Sequence, residues 1–208
     1  MRGVANLDDL RADRATQRPG GRTARVGDAV MRATLDELTE VGYAGLRLDA
    51  IAARAGVARS TIYRRWGDKA SLVAAAFLEH RGDAGLPPDT GNLRDDMLGL
   101  MRQVRDGLQQ PWVAALVREV QPRHPDGGIF EALDLIWPER FGAAEVIFDR
   151  AIERGELPPT TDSALLVELL SGALHFRSLF PGHDVDDDFL EQVADLLITG
   201  ASGQPGPG

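Results

Sequence analysis

Apolar residues recur at helical spacing along most of the chain and are interrupted at glycine and proline. Over Arg22–Val41 they return every three or four positions, and Gly42 then supplies a stop signal. Shorter helices are predicted at Leu48–Ala55 and Arg59–Trp66. A fourth begins at Asp68, whose carboxylate can cap it, and runs to about His80. The first 80 residues therefore predict four helices.

The second half continues the same pattern. Segments containing proline separate the apolar stretches, because proline lacks a backbone N–H and crowds the preceding turn. No alternating strand pattern flanked by turns is found. The sequence predicts an all-α fold of about nine helices, the last five at Leu93–Gln110, Trp112–Val120, Gly128–Arg154, Ser163–Phe180 and Asp187–Thr199.

Changes in composition predict four segments. Residues 1–20 are polar and rich in arginine and are predicted to form a flexible basic arm, which either contacts DNA or is inert. Residues 21–81 form the first helical domain, and the Gly/Pro-rich stretch 82–91 marks the boundary. A second helical domain covers residues 82–200, and residues 201–208 are predicted to be a disordered tail.

Composition and charge narrow the class of protein. With 208 residues, 43% of them hydrophobic, and no cysteine, the chain suits a globular protein without disulfides or thiolate metal sites. It has no apolar run of about 18 residues and no secretory signal pattern, so a cytoplasmic location is expected. The net charge of −9 is unevenly distributed. Residues 1–81 carry 14 basic and 10 acidic side chains, and the remainder carries 9 and 22.

The turn Gly56-Val57-Ala58 joins two short helices in the manner of a helix-turn-helix, whose second helix enters the DNA major groove. That helix begins at Arg59 and carries arginine, hydroxyl and tyrosine side chains suited to phosphates and guanine edges, while Ile62 faces inward. An ordinary solvated helix face is the alternative. The basic helix in an acidic chain favours a DNA-binding surface.

Four segments in consecutive order resemble the TetR family of one-component repressors: Gly42-Tyr43, Ile51–Val57, Ser60–Trp66 and Lys69–Leu72. The resemblance implies a homodimer with two N-terminal DNA-binding heads and a variable C-terminal region that dimerises and holds a small-molecule pocket. It implies base reading by Arg59 and Ser60 with Arg64 nearby. It further implies phosphate contacts by Thr61, Tyr63, Arg65 and Lys69.

Two positions depart from the family pattern. Arg47 stands where the family often has threonine at the start of the second helix, and it is either a further DNA contact or a solvated arginine. Trp66 stands where phenylalanine is common and is predicted to be a core residue between the third and fourth helices rather than a DNA contact.

The C-terminal half resembles a TetR C-terminal subfamily common in actinobacterial regulators, mainly through Leu169–Arg177 and the last helix. The resemblance assigns Ser163–Phe180 and Asp187–Thr199 to a four-helix dimer interface. An intrachain core is the alternative for these residues. The residues predicted for the dimer interface are Leu166, Leu170, Gly172, Phe189, Val193 and Leu197.

A small-molecule pocket would draw on aromatic and soft side chains, although the same residues fill ordinary helical cores. Arg105 could meet an anionic ligand or form a salt bridge with nearby carboxylates. The pocket candidates are Met97, Met101, Trp112, Leu116, Phe130, Trp137, Phe141, Phe148, His175 and Phe176.

No catalytic motif is found, and His183–Asp188 is interpreted as acidic residues before a helix rather than as a metal site. Neither an enzyme nor a cofactor is therefore expected. The sequence and the resemblance together predict a DNA-binding transcriptional repressor that leaves a palindromic operator when a small molecule binds. A helical small-molecule binding or sequestering protein without operator binding is the alternative.

Overall fold

The computed structural model describes residues 22–80, 87–119, 128–179 and 184–203, and all regular structure in these ranges is helical. This confirms the predicted all-α fold. In chain order the helices are α1 (Arg22–Gly45), α2 (Leu48–Ala55), α3 (Arg59–Trp66), α4 (Lys69–His80), α5 (Leu93–Leu108), α6 (Pro111–Glu119), α7 (Gly128–Glu153), α8 (Ser163–Leu179) and α9 (Asp187–Ser202).

The helices group into two compact units that do not follow the chain order. The first unit comprises the described residues up to His80 together with Pro111–Trp137, and the second comprises the remaining described residues. The chain leaves the first unit near the predicted boundary at 82–91. It returns through α6 and the first part of α7, so the segment 82–200 is not one compact unit.

The first unit is organised around α1, which packs against α2, α4 and α6. Val30 and Leu38 of α1 are fully buried, as are Ile51, Ile62 and Leu72 on the three following helices. Burial of such side chains stabilises each of them by about 1.5 to 3 kcal/mol relative to exposure. The three short helices are therefore held together mainly by a shared apolar centre.

Two glycines shape this unit. Gly42 has φ 70° and ψ 178° and interrupts the helical backbone of α1, which is where the sequence predicted a stop. Gly56 ends α2 in the left-handed conformation, with φ 67° and ψ 32°. The Val57 amide then donates to the carbonyl of Ala52 at 3.0 Å. A side chain at either position would be strained, because positive φ is readily accessible only to glycine.

The second unit has its core between α5, the C-terminal part of α7, α8 and α9. Met97, Met101, Phe148, Leu170 and Leu174 have no exposed surface there. Fully buried Asp96 accepts hydrogen bonds from the Thr90 amide at 2.7 Å and the Thr90 hydroxyl at 2.8 Å. The Arg94 guanidinium of α5 also donates to Asp195 of α9 at 2.7 Å.

Both predicted terminal segments lie partly or wholly outside the described residues. This is so for the basic arm at 1–20 and for residues 204–208 of the predicted tail. The last helix is longer than predicted, since α9 continues to Ser202 and Ala201 is buried. Within the described ranges, none of the helices combines the length and the apolar character needed to cross a membrane.

Candidate nucleic-acid interface

Helix α3 separates its residues into an inner and an outer face. Ile62 and Trp66 are buried, as the sequence predicted. Their spacing of four residues places them on one side of the helix. The other positions of α3 carry the predicted base-reading residues and three of the four predicted phosphate contacts. Among these, Arg59, Ser60, Tyr63 and Arg64 are exposed and Thr61 is half-buried.

Arg59 opens α3 and is held by two neighbouring side chains. Its Nη2 donates to the Tyr63 hydroxyl at 2.8 Å, and its Nη1 donates to Oδ2 of Asp49 at 3.0 Å. Its Nε also lies 2.7 Å from Oδ1 of Asp49. The hydrogen bond to Tyr63 and the charge of Asp49 raise the pKa of Arg59, so this guanidinium is fully charged at neutral pH.

Asp49 was not predicted to belong to this surface. It lies in the first turn of α2, where an acidic residue is commonly explained by the helix dipole. Only the packing of α2 against α3 brings it to the start of α3. Asp49 and Arg59 are ten residues apart, a spacing that is typical of neither a helical contact nor a turn, so the sequence does not reveal their contact.

Lys69 lies at the first residue of α4, close to the end of α1. Its ammonium is 4.3 Å from the centre of the Tyr43 ring and 3.5 Å from the carbonyl oxygen of Ala44. A cation over an aromatic face is attracted by the ring quadrupole. These contacts fix a positive charge beside the N-terminus of α4, where further N–H groups point outward.

Asp68 caps α4, as the sequence predicted. Its Oδ1 accepts a hydrogen bond from the Ser71 amide at 2.8 Å. We expect Asp68→Ala to lower the free energy of unfolding by about 0.5 to 2 kcal/mol, because an N-terminal amide then loses its acceptor. Urea unfolding measures this loss. Asp68→Asn is the control, since its side-chain oxygen can still accept, and an equal loss in both variants would contradict the capping role.

Two further residues that were predicted as DNA contacts, Arg65 and Arg47, have other surroundings. The Arg65 guanidinium lies over the Trp66 ring at 4.9 Å from its centre. It also packs on α1, where a Cβ added to Gly27 would come within 3.2 Å of its Nη1. Arg47 is exposed at the N-cap of α2 and makes no capping hydrogen bond, because a guanidinium has no acceptor for helix amides.

Another arginine of the first unit, Arg54, forms ion pairs with acidic side chains of α1. Arg54 donates to Glu40 through Nη1 at 2.7 Å, and its Nη2 lies 3.5 Å from Glu37. The hydrogen bond from Arg54 lowers the pKa of exposed Glu40. Because Arg54 lies at the end of α2 and both carboxylates lie on α1, these ion pairs link α2 to α1. Arg54 is not among the predicted DNA contacts.

Two segments of the chain match known protein families. Residues 30–76 match the family described as bacterial regulatory proteins, tetR family, and residues 87–197 match the Tetracyclin repressor-like, C-terminal domain. The chain belongs to the TetR family of transcriptional regulators. One relative, an uncharacterised HTH-type transcriptional regulator of Mycobacterium tuberculosis, is 36% identical over 178 residues, which cover 81% of this chain and 84% of the relative.

Two further proteins are similar over most of their lengths. The HTH-type transcriptional regulator AqdR of Rhodococcus erythropolis is 31% identical over 185 residues, covering 88% of this chain and 89% of AqdR. The crystal structure of the TetR family transcription regulator SCO0332 superposes with a TM-score of 0.70 and 28% identity, covering 84% of this chain and 97% of that one. This TetR-family protein is thus a DNA-binding transcriptional regulator and not an enzyme.

The residues predicted for a TetR-type dimer interface occupy different environments. Leu166 and Leu170 of α8 are buried in the core of the second unit, which is the alternative that the sequence left open. Phe189, Val193 and Leu197 of α9 are partly buried against the same core, and Gly172 is exposed. The outward apolar residues of α8, none of which the sequence analysis assigned to the dimer interface, are Leu165, Leu169 and Phe176.

The ten pocket candidates of this TetR-family chain are divided between the two units. Trp112, Leu116, Phe130 and Trp137 belong to the first. Met97, Met101, Phe141, Phe148, His175 and Phe176 belong to the second. Met97, Met101 and Phe148 are fully buried core residues, whereas Phe130 and Phe176 are 48% and 68% exposed. The candidates therefore do not form a single cluster within either unit.

Trp112 is the pocket candidate with an unsatisfied polar atom. It is 8% exposed, and its ring meets those of Phe77 and His80 edge to face at 5.0 Å and 5.4 Å between centres. Its indole N–H has no hydrogen-bond acceptor among the described residues. A buried donor without a partner costs about 1 to 3 kcal/mol, so an acceptor from a bound molecule would be favoured there.

Charged side chains of the second unit pair with one another. Arg105 donates to Asp187 at 2.6 Å, which confirms the salt-bridge alternative for this residue. His175 is half-buried, and its Nδ1 lies 2.7 Å from the carbonyl oxygen of Ser171, while burial lowers its pKa. Across the described ranges, no group of three or more His, Asp or Glu side chains is arranged to hold a metal ion.

Proposed function

We propose that this TetR-family regulator is a homodimeric repressor that binds a palindromic operator through α3 and releases it when a small molecule binds. The observation that carries the proposal is the exposed surface of α3, a helix that Ile62 and Trp66 anchor in a packed core. The accessible residues on this helix are Arg59, Ser60, Tyr63 and Arg64. Acting on chromosomal DNA, the protein would work in the cytoplasm.

This arrangement suits a major-groove reader because the helix is rigidly supported while its polar side chains are accessible. Guanidinium groups can hold guanine O6 and N7 or a phosphate, and hydroxyls can donate to phosphate oxygens. Lys69, beside the start of α4, supplies a charge suited to the DNA backbone. Arg65 and Thr61 are less exposed than the four outer residues and are proposed as backbone contacts at the edge of the surface.

We expect Arg59→Ala to weaken specific operator binding by about 1 to 3 kcal/mol and to relax one base position, if Arg59 reads guanine. Lys69→Ala should weaken binding almost equally on all sequences and should reduce the salt slope by about 0.9 for each protomer bound, because each protomer loses a phosphate contact. Fluorescence anisotropy against fragments selected from a random pool by the parent protein measures both effects.

Glu40→Gln serves as the control for this series, since Glu40 pairs with Arg54 and not with α3. The control should retain the operator affinity of the parent far more closely than either test variant. Parent-like affinity for the selected fragment in Arg59→Ala, Tyr63→Ala and Lys69→Ala together would refute the proposed DNA surface. The spacing of the two half-sites in the selected fragments would test the palindrome.

Dimerisation is supported by a row of exposed apolar residues on α8. Leu165, Leu169, Gly172 and Phe176 follow one another at intervals of four, three and four residues, so they lie on one face of the helix. Leu169 is 50% exposed and Phe176 is 68% exposed. A Cβ at Gly172 would meet no neighbouring atom, so a helix from a second copy can approach there closely.

Leu196 on α9 is 73% exposed and adds to the apolar surface of the second unit. Large exposed apolar residues concentrated on neighbouring helices mark interaction surfaces. A second copy is the proposed occupant because a two-fold interface lets two α3 helices face successive major grooves, about 34 to 36 Å apart. This geometry is what a palindromic operator requires.

Ligand response is supported by the indole N–H of Trp112, for which no described residue supplies an acceptor, and by the aromatic rings beside it. A small molecule with a hydrogen-bond acceptor and apolar surface would satisfy the donor and pack on the rings. A coupling free energy of about 1 to 3 kcal/mol between ligand and DNA binding would suffice for release of the operator.

A further inference from the structure

The contact between Asp49 and Arg59 places a carboxylate at the start of α3, on the proposed DNA surface. Both side chains are accessible, with 44% and 59% of their side-chain surface exposed. Phosphates repel carboxylates, so an acidic residue here opposes general attraction to DNA. Electrostatic attraction between the protein and DNA therefore does not explain why a carboxylate lies here.

We propose that Asp49 is a specificity-determining residue that restrains Arg59 and withholds its charge from the phosphates of non-cognate DNA. The inference rests on the proposed function, since it concerns how the α3 surface distinguishes sequences. The carboxylate lies against two nitrogens of the guanidinium, at 2.7 Å and 3.0 Å, while the Tyr63 hydroxyl accepts from the third at 2.8 Å. All three nitrogens thus have a protein partner.

These contacts restrict the orientation of Arg59. An arginine with no partner samples many rotamers and can follow a phosphate wherever one is presented. Arg59 instead lies along the first turn of α3, with its guanidinium carbon 5.1 Å from the centre of the Tyr63 ring. Three of its five N–H groups face Asp49 and Tyr63, and the second N–H of Nη1 and that of Nη2 remain for a base edge.

The restraint affects cognate and random DNA differently. To grip a phosphate on random DNA, Arg59 must leave the carboxylate, and the gain in attraction is offset by the ion pair that is lost. A correctly placed guanine needs no such exchange, because the held guanidinium can present its remaining donors to O6 and N7. Asp49 therefore increases the ratio of specific to non-specific affinity by lowering non-specific affinity.

Asp49→Asn tests this inference, since asparagine keeps the size of the side chain and removes its charge. Loss of the surface ion pair should raise affinity for a scrambled fragment by about two- to fivefold per protomer. The salt slope on scrambled DNA should steepen by about 0.9 for each arginine that gains a phosphate. Affinity for the selected operator should rise less, so the ratio of the two affinities should fall.

Glu40→Gln is the matched control, because it removes the same charge from the same unit and weakens the pairing of Arg54, which keeps Glu37, rather than that of Arg59. A double-mutant cycle supplies a second control: in an Arg59→Ala background, Asp49→Asn should change the ratio no more than Glu40→Gln does. The two substitutions would not be coupled in this cycle if Asp49 acted only by stabilising α2.

The outcomes separate the two proposals. If the parent shows no salt-dependent preference for any selected DNA, the proposed function fails. If the parent discriminates well and Asp49→Asn matches Glu40→Gln in both ratio and salt slope, the role of Asp49 is overturned while the proposed function stands. A lower affinity of Asp49→Asn for operator and scrambled DNA alike would also overturn it.

Discussion

Leu169→Asp is expected to separate the proposed dimer into monomers and to lower operator affinity by about 10²- to 10⁴-fold. Leu169 lies at the middle of the exposed apolar row on α8 and is 50% exposed within the protomer. A carboxylate there is tolerated in the monomer, but in the interface it would be buried without a partner. Once the two heads are no longer joined, the second half-site loses the benefit of effective concentration.

Sedimentation velocity measures the oligomeric state, and anisotropy on the selected operator measures the affinity. Ala164→Asp is the control, since Ala164 is exposed on the same helix but lies about 100° around it from Leu165. The control should remain dimeric. If Leu169→Asp stays dimeric at the same concentrations as the parent, the apolar row on α8 does not form the interface, and the two-fold arrangement must use another surface.

The sequence predicted the helix-turn-helix well because its signals are local. Gly56 adopts the left-handed conformation that a turn after α2 needs, and the four-residue spacing of Ile62 and Trp66 indicates one buried face. Asp68 is a capping residue next to the helix that it caps. Each of these features depends on neighbours within a few positions, so residue type and spacing were sufficient.

The proposed interface on α8 could not be predicted in the same way. Leu165 and Leu166 are adjacent, as are Leu169 and Leu170, so the helix presents apolar residues on two sides. Periodicity alone does not say which side faces the core of the protomer. The structure places Leu166 and Leu170 inside and leaves Leu165 and Leu169 outside. That choice is made by the packing of α8 against α5 and α9.

Contacts between distant parts of the chain account for the remaining differences. Asp49 approaches Arg59 only after α2 and α3 have packed. The segment Pro111–Trp137 joins the first unit because α6 packs on α1, although about thirty residues of the second unit separate it from α4. Neither of these contacts can be inferred from the spacing of hydrophobic residues along the chain. Both affect the proposed function: the first adds a residue to the proposed DNA surface, and the second divides the pocket candidates between the two units.

Trp66→Ala is expected to lower the free energy of unfolding by about 3 to 5 kcal/mol, because truncation of a buried aromatic side chain leaves a cavity. Trp66 is 4% exposed at the end of α3, and the Arg65 guanidinium lies over its ring. Loss of the ring would loosen the recognition helix at the end opposite Arg59. Urea unfolding followed by circular dichroism measures the change in stability.

Trp66→Phe is the matched control, since it keeps an apolar ring at the position and should lose much less stability. Under conditions where both variants are folded, Trp66→Phe should bind the operator nearly as the parent does. A phenylalanine variant with parent-like stability and strongly reduced operator affinity would instead show that the indole itself contacts DNA. Because the ring is buried between α3 and its neighbours in the free protein, we expect DNA binding to follow the stability of the first unit.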